Sequence, residues 1–561
     1  MKICVYPWRK KNCQLASPEP AKIARERSMR KYDVFLYPIV ILLFSACAQQ
    51  EGREMWQPSP TYIGVEPNDD APVKAGALAA QNFAQDKTLT VEHDASMAYL
   101  KFFIPGFSKV DSAILNIQTK EVLSPGSVSI YEVMDTNWDE TRLSWEKRPE
   151  IGTVTLATLE LDAPQKVYEI DLTDFVKQKY ADEDYYICLC FKADNAGTNV
   201  SFASVEDYDN LKPRFMICGL TYVPPPPPEY APAEFKHPGI LVTQSQIEFV
   251  REKIQAGQSP WKEAFDAARQ SEFTQASYQP SPFEILTKTG FYNRSVSSGH
   301  KEFYNDAQAA LSNAQLWALT DSIRYAQKAI EIINGWSATN KEITGGNDKL
   351  ASGTATIQFA NAAEILKHTN TGWRQQDQDM FEHWLRSVVW PILRDYIPAY
   401  NGNWDAIIGQ ALLSMAVFLD DKFIFDHAVN YYLNGIGNGK MSYYVREDGT
   451  TQETLRDQGH EQMGVGALAG FAEIAWNQGL DLYSKENSRL LKGVEGTARR
   501  VLEINDRRLA LWESIYNHYH NRMGRDMPYT EKLLNMPGYR PEGYGSYRGF
   551  NTLFFYGLGD R

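Results

Sequence analysis

Five consecutive prolines, Pro224 to Pro228, interrupt this chain of 561 residues. Proline locks φ and lacks a backbone N–H, so neither a helix nor a central strand runs through such a stretch. The run is expected to hold a polyproline II conformation and to act as a semi-rigid spacer. It also divides two hydropathy patterns, and a chain this long exceeds what one core usually supports, ~250–300 residues. The expected organisation is a leader over 1–47, a β-sandwich over 60–222, a linker over 223–234 and a helical domain over 235–561.

Before the prolines the period is two. Met97 to Ile104, Ser112 to Ile117, Val128 to Tyr131 and Tyr185 to Phe191 alternate apolar and polar residues. Turn residues separate them at short intervals, the pattern of an all-β, jelly-roll-like sandwich. One short helix is predicted over 172–179. After the prolines the period lengthens. Ile247, Val250 and Ile254 follow the capping-box-like Thr243-Gln-Ser-Gln. Further amphipathic segments are predicted at 261–270, 304–319, 322–336, 355–368, 376–390, 405–419, 422–434, 461–478, 487–503 and 509–521. Helices joined by short loops, with no convincing strand, predict an all-α domain, most simply an (α/α) toroid. An open helical stack would read similarly.

Met29 precedes Arg30-Lys31, an apolar run from Val34 to Phe44, and Ser45-Ala46-Cys47. That is a secretory signal pattern, with translation expected to start at Met29. The run is too short for a permanent membrane span. Phe-Ser-Ala-Cys resembles a lipoprotein signal, which implies lipidation of Cys47 and an exported periplasmic or outer-membrane protein of a Gram-negative bacterium, although Phe44 stands where leucine is usual. Cys188 and Cys190 alternate onto one strand face, read as buried thiols, with a disulfide to Cys218 left open. Their number and spacing do not make a tetrahedral zinc site.

The net charge of −13 provides no basic footprint for nucleic acid. A polyanionic substrate would therefore need a local cluster of cationic and amide groups. Four such clusters stand out. Gly449 to Gly464 packs Gln452, Glu453, Arg456, Asp457, Gln458, His460, Glu461 and Gln462 at a helix start, and Arg456 and His460, four apart, share a face. Helix capping accounts for one or two such groups rather than eight. Tyr400 to Asp405 precedes an apolar helix, where Asn403 or Asp405 as a simple N-cap is the bland alternative. Tyr516-Asn-His-Tyr-His-Asn-Arg522 and Gly299-His300-Lys-Glu-Phe-Tyr304 complete the set. Candidate substrate-binding groups are Gln452, Glu453, Gln458, Trp404, His300, Tyr304, His520 and Arg522.

The helical half has no cysteine, no Gly-x-Ser-x-Gly elbow, no His-x-x-x-His pair and no phosphate-cradling loop. Asn, Arg, His and Tyr remain, and these suit β-elimination in a uronic-acid polymer without metal or cofactor. Neutralising the uronate carboxylate makes the C5 proton removable. A His or Tyr then takes that proton, and a Tyr or His protonates the departing O4.

Two resemblances sharpen this. Ala98-Tyr-Leu-Lys-Phe102, Val110 to Leu115, Asn137-Trp-Asp-Glu140 with Leu143-Ser-Trp145, and Phe202-Ala-Ser204 resemble bacterial β-sandwich modules attached to carbohydrate enzymes. That implies a carbohydrate-binding or spacer role, with Trp138 and Trp145 read as packing residues. Asn401-Gly-Asn-Trp-Asp405, Gln452-Glu-x-x-Arg-Asp-Gln-x-His-x-Gln462 and Ala475-Trp-Asn-Gln-Gly-Leu-Asp-Leu-Tyr483 resemble the alginate lyase superfamily, closest to polysaccharide lyase family 38. The resemblance implies an (α/α) toroid acting on alginate-type polyuronates. It casts Asn403 with Arg456 as carboxylate neutralisers, His460 as base or neutraliser, and Tyr516 as acid/base, with Tyr304, Tyr400 and Tyr519 competing. Trp476 to Tyr483 is read as structural. Two other readings stay open: a glycoside hydrolase using Asp405 and Asp457, and a non-catalytic glycan-binding surface protein.

Overall fold

The computed structural model describes residues 56–207, 209–289, 297–400, 402–454, 456–504 and 508–559. The leader, with Met29 and Cys47, lies outside the described residues. No helix among the described residues is long and apolar enough to cross a membrane.

Eleven strands build the first domain: β1 (Pro60–Val65), β2 (Asp69–Lys74), β3 (Thr88–Glu92), β4 (Ser96–Phe103), β5 (Phe107–Ser124), β6 (Gly126–Val133), β7 (Ile151–Leu161), β8 (Val167–Asp171), β9 (Tyr186–Ala193), β10 (Asn199–Ala203) and β11 (Arg214–Thr221). They pair in the order β1-β11-β5-β10-β3-β4-β9-β6-β7, with β2 on β4 and β8 on β5. The long β5 joins two layers: its first half pairs with β11 and β8, its last residues with β10. Along β5, Ala113, Leu115 and Ile117 are buried while Ile114, Asn116 and Gln118 are less so, the period of two read from the sequence. The inward residues of both layers form one core, in which Phe102 of β4 meets Phe215 of β11 edge-on at 4.8 Å. Each such buried aromatic contributes roughly 1.5–3 kcal/mol. Trp138 is buried, as expected of a packing residue, and Arg148 covers the Trp145 ring. The short helix spans Thr173–Ala181. Cys188 and Cys190 are free thiols, and burial pushes both up to about 12.

The second domain is a two-layered helical ring. Its inner helices are His300–Thr320, Asp348–His368, Trp404–Phe418 and Gln458–Asn477, each packed on the next. They are buried on most sides; from Asp405 to Phe418 every residue is buried. The outer helices Ile323–Thr339, Gln375–Trp384, Lys422–Asn434 and Lys485–Ile504 alternate with them in sequence and keep a polar face outward. Small residues permit the close approach: Gly464 leaves room for the Tyr444 hydroxyl, which would lie 1.9 Å from a Cβ there. Helix Trp512–Tyr516 packs on Asn551–Phe555, which returns to Gln244–Gln255 and Trp261–Gln270, closing the toroid.

Three expectations need correction. The helical domain contains strands after all: Ile285–Thr287 pairs in parallel with Glu342–Thr344, and Tyr544–Gly545 forms a hairpin with Gly549–Phe550. The segment expected as a helix over 509–521 starts at Trp512 and passes into a π turn, Asn517–Arg522. The proline run, expected as a semi-rigid spacer, is docked at both ends. Past it, the amides of Tyr230 and Ala231 both donate to Asp426, and Val223, Tyr230 and Phe235 pack on the helical core. At the other end of the sandwich, Trp56 is buried against Trp390, Phe423 and His427, with its indole N–H on Asp395. From Trp56 onward the chain is one compact unit.

The strand-free segment after the prolines is latched by charge. His237 Nδ1 pairs with Glu364 at 2.8 Å and Nε2 with Asp420 at 2.9 Å, while its ring stacks on His368 at 4.2 Å. Burial pushes the His237 imidazole down, but the bonds to Asp420 and Glu364 outweigh it and lift it to about 9. A raised histidine contributes stability that is complete below its unfolded pKa of ~6.5. That contribution is lost as pH rises through about 9. His237→Gln is therefore expected to lower stability near pH 6 by on the order of 2 kcal/mol, and thermal unfolding should show the gap to wild type closing above about pH 9.5.

Candidate active site

A hollow of about 390 Å³ opens where the inner helices begin. Tyr304, Asn305 and Gln308 come from the first turns of the His300 helix. Asn347, Leu350, Thr354 and Gln358 line it from the Asp348 helix, and Asn403, Trp404 and Ile407 from the Trp404 helix. Arg456, His460 and Met463 stand at the start of the Gln458 helix, and Ser546 and Tyr547 come from the C-terminal hairpin. Four helix N-termini thus converge on one space, and each carries partial positive charge on amide groups without intrahelical partners. Three of the four lack a side-chain cap: Gly299, Asn347 and Asn403 occupy the N-cap positions without bonding the first-turn amides. Helix starts gathered at one hollow suit an anionic ligand, which offsets the chain's overall negative charge locally.

Asp457 caps the fourth helix and orients its histidine. Oδ1 accepts the His460 backbone N–H at 2.8 Å and Oδ2 meets His460 Nδ1 at 2.6 Å. Burial pushes the Asp457 carboxyl up, but the His460 amide, the His460 ring and Arg456 outweigh it and hold it below the usual range. With Nδ1 committed to a carboxylate, the imidazole's Nε2 is left to exchange a proton with a ligand. Asn403 is buried, and its Nδ2 donates to the His460 carbonyl at 3.2 Å, tying the second cluster to the first.

Arg456 reaches the hollow from a braced loop. Its guanidinium bonds Glu453 at 3.1 Å and lies 3.8 Å from Asp457. Glu453 is itself buried, which raises its carboxyl against the pull of Arg456. Gly402 sits beside it at φ +100°, and a Cβ there would lie 2.1 Å from the Glu453 carboxylate; the Gly402 amide donates to Gln452 at 3.1 Å. Gln452 and Glu453, expected to bind substrate, therefore hold the loop instead. Gln458 is buried and likewise absent from the lining.

The Tyr516 run is not brought here. Tyr516 stacks on His520 at 4.6 Å, with Glu531, Arg540 and Glu513 as its charged surroundings, and neither ring lines the hollow. His520 Nδ1 meets the Arg525 carbonyl, while Arg522 binds Glu473 at 2.7 Å and the Gly559 carbonyl. His518 completes that structural knot, stacked on Tyr483 and paired with Glu473. Asn477 and Gln478 bond the backbone at Ile240, Lys236 and Gly239, so Trp476 to Tyr483 is structural as read. His300 opens its helix with its ring 6.4 Å from Tyr304, but it is not in the lining.

Two phenols do face the hollow. Burial pushes Tyr304 up to about 12, and burial followed by the nearby Tyr304 raises Tyr547, so both stay protonated at neutral pH. Sequence reading missed Tyr547. Its hairpin is held by three inner helices and a fourth backbone: the Tyr547 carbonyl accepts from Gln410, the Phe550 amide donates to Gln315, Tyr544 bonds Gln358, and Arg548 donates to the Gly466 carbonyl. The only signal was the Gly- and Tyr-rich run Tyr544-Gly-Ser-Tyr-Arg-Gly-Phe550, whose partners lie between 82 and 235 residues away.

Asp405, the carboxylate needed by a hydrolase, is fully buried, with its oxygens taken by the Ile397 amide and the Tyr431 hydroxyl. Among the described residues, two groups place metal-ligand atoms together: His237, Glu364 and His368, and Asp70, Glu140 and Glu206 of the sandwich. The first is the latch described above, where both His237 nitrogens already meet carboxylates and the two rings stack in parallel. Neither group lines the hollow.

Comparison with known proteins agrees with this division. Residues 61–219 match the model of carbohydrate-binding module family 96, and residues 250–506 match that of the alginate lyase family. No curated protein matches. Among solved structures, alginate lyase A1-III from Sphingomonas species A1 is 16% identical with a TM-score of 0.44, covering 58% of this chain and 97% of its own. An alginate lyase from Bacteroides ovatus is 11% identical with a TM-score of 0.42, covering 57% and 99%. The chain thus joins a family 96 carbohydrate-binding module to an alginate lyase family domain, and it is a polysaccharide lyase.

Proposed function

We propose that the helical domain cleaves alginate or a closely related polyuronate by β-elimination. The observation that carries this reading is the gathering of an amide, a guanidinium, an Asp-oriented imidazole and two protonated phenols in one hollow at four helix N-termini. A uronate carboxylate there is neutralised by Asn403 and Arg456, with the helix ends adding positive potential. Neutralisation stabilises the enolate-like charge as the C5–H bond breaks. His460 Nε2 takes the C5 proton, and Asp457 stabilises the resulting imidazolium. The C4–O4 bond then breaks, a C4=C5 double bond forms, and O4 leaves with a proton from Tyr304 or Tyr547. Their raised pKa values suit phenols as acids rather than as bases. Trp404 offers an apolar face to the sugar.

Incubation with alginate is expected to produce unsaturated, ultraviolet-absorbing chain ends; cleavage with saturated ends would mean hydrolysis. Asp457→Asn keeps a competent helix cap, so its stability should change by less than about 1 kcal/mol. Because it no longer favours the Nδ1–H tautomer of His460, kcat should fall by about 10²-fold or more. An unchanged kcat would remove His460 as the base. Tyr304→Phe combined with Tyr547→Phe should also abolish turnover, and full activity in that double variant would exclude a phenol acid. We further propose export with a lipid anchor at Cys47, supported by the leader sequence alone; Cys47→Ser should then release the protein from membranes on fractionation.

A further inference from the structure

Two of the contacts between the sandwich and the helical domain continue directly into residues of the hollow. The first runs through the segment that precedes Asn403. Pro398 fits against Gly106, where a Cβ would lie 2.8 Å from Pro398 Cγ. Ala399 is buried within the sandwich core itself, the one residue of the helical domain to join it among the described residues. The Tyr400 phenol lies against the backbone amide of Gly64 in β1, beside the Arg214–Glu66 ion pair. On its other side the Tyr400 ring packs edge-on against Trp404 at 4.9 Å and 81°. The Tyr400 carbonyl accepts from Asn438 at 2.6 Å, and Asn438 in turn accepts the Asp405 amide at 2.6 Å. Tyr400 is therefore held between the sandwich and the first turn of the Trp404 helix.

The second contact runs toward His460. Phe103, at the end of β4, stacks on Tyr443 at 5.9 Å and 29°. The next residue, Tyr444, is fully buried, and its hydroxyl reaches the carbonyls of His460 and Glu461 at 3.5 and 3.4 Å. The His460 carbonyl is also the acceptor for Asn403. One line of contact thus ends on Trp404 and the other on His460, and the Asn403–His460 bond joins them.

We propose that the carbohydrate-binding module has a second function: it is a wall of the catalytic domain that positions Asn403, Trp404 and His460 through Tyr400 and the Tyr443–Tyr444 pair. The distinction from a tethered binding module is physical. A tethered module raises the local concentration of polymer and so acts on KM for long chains. A wall sets the geometry of reacting groups, where a displacement of about 1 Å costs on the order of 10²-fold in rate whatever the substrate length. Tyr400 is a positioning residue in this scheme, acting through Trp404 and the segment that carries Asn403.

The catalytic consequence rests on the elimination reading, but the positioning itself does not, so the test has two arms. Full-length Tyr400→Ala, Tyr400→Phe and Val200→Ala are compared, Val200 being buried in the sandwich core away from the contact. At a temperature where all three are folded, kcat and KM are measured on alginate and on a uronate trisaccharide, and amide hydrogen exchange is followed over 402–408 and 458–463. Tyr400→Ala should lower kcat about 10-fold or more on both substrates, with KM little changed, and should speed exchange in both segments. Tyr400→Phe, which keeps the ring on Trp404, should retain most of the activity. Val200→Ala should lower Tm without altering kcat or exchange there. Wild-type exchange in Tyr400→Ala, or a loss confined to KM on the polymer, would overturn the proposal. A wild-type protein that cleaves no uronate would sink the elimination reading, and the exchange arm would still decide the positioning.

Discussion

Amide groups at a helix start have no partner in their own helix, and they must find one in a side chain, in water or in a ligand. In this protein the problem is posed four times around a single hollow. Of the four, only the Gln458 helix has an N-cap side chain bonded to its first turn, Asp457; elsewhere Asp348 takes the Lys349 amide and Asn438 the Asp405 amide. The His300, Asp348 and Trp404 helices begin with Gly299, Asn347 and Asn403, none of which bonds its own first turn. The toroid makes this convergence unavoidable, because its inner helices alternate with outer ones and so run the same way. Everything else at the site depends on that arrangement: Asn403 gives one Nδ2 hydrogen to the His460 carbonyl and has a second to offer a ligand, and Arg456 adds full charge where the helix ends supply partial charge.

Asp457 shows how one carboxylate serves both fold and chemistry. Its two oxygens go to the amide and the ring of the same residue, so helix initiation and imidazole orientation are set together. The neighbouring Glu453 does a purely structural task, filling the space that Gly402 leaves and holding Arg456. Acidic residues beside an anion site would ordinarily repel the ligand. Here each is paired with the cation or imidazole it positions, so the loop delivers Arg456 and His460 without presenting a free carboxylate.

The two domains are similarly interdependent. Trp56 before the sandwich is buried in the helical core, Tyr230 and Phe235 after it pack against that core, and Ala399 is buried in the sandwich. Proline stiffness explains why the connection is extended; it does not require the connection to be loose. Asp426 accepts the first two amides that follow the prolines and the acidic residue after them, Tyr230 and Ala231, and converts a spacer into a docked strap.

Periodicity was enough to read both domains, because a period of two and one near 3.6 report burial on faces that each element carries alone. Asn403, Arg456 and His460, which line the hollow, stood out for a related reason: each stands within a few residues of its own helix start, where polar residues in excess of capping needs are conspicuous. Tyr516 was read from the same kind of local density and was misplaced, since the imidazole and guanidinium around it turn toward Glu473 to knit the helix layer rather than toward the hollow. Tyr547 could not be found that way at all. Its place depends on Gln315, Gln358, Gln410 and the Gly466 carbonyl, contributed by four helices far away in the chain. Local pattern determined the elements, their order and the groups at their ends, because those follow from backbone hydrogen bonding and burial within one segment. Which of those groups share a space, and that a sandwich grips the segment leading to Asn403, were decided only when closure of the ring brought distant residues within reach of one another.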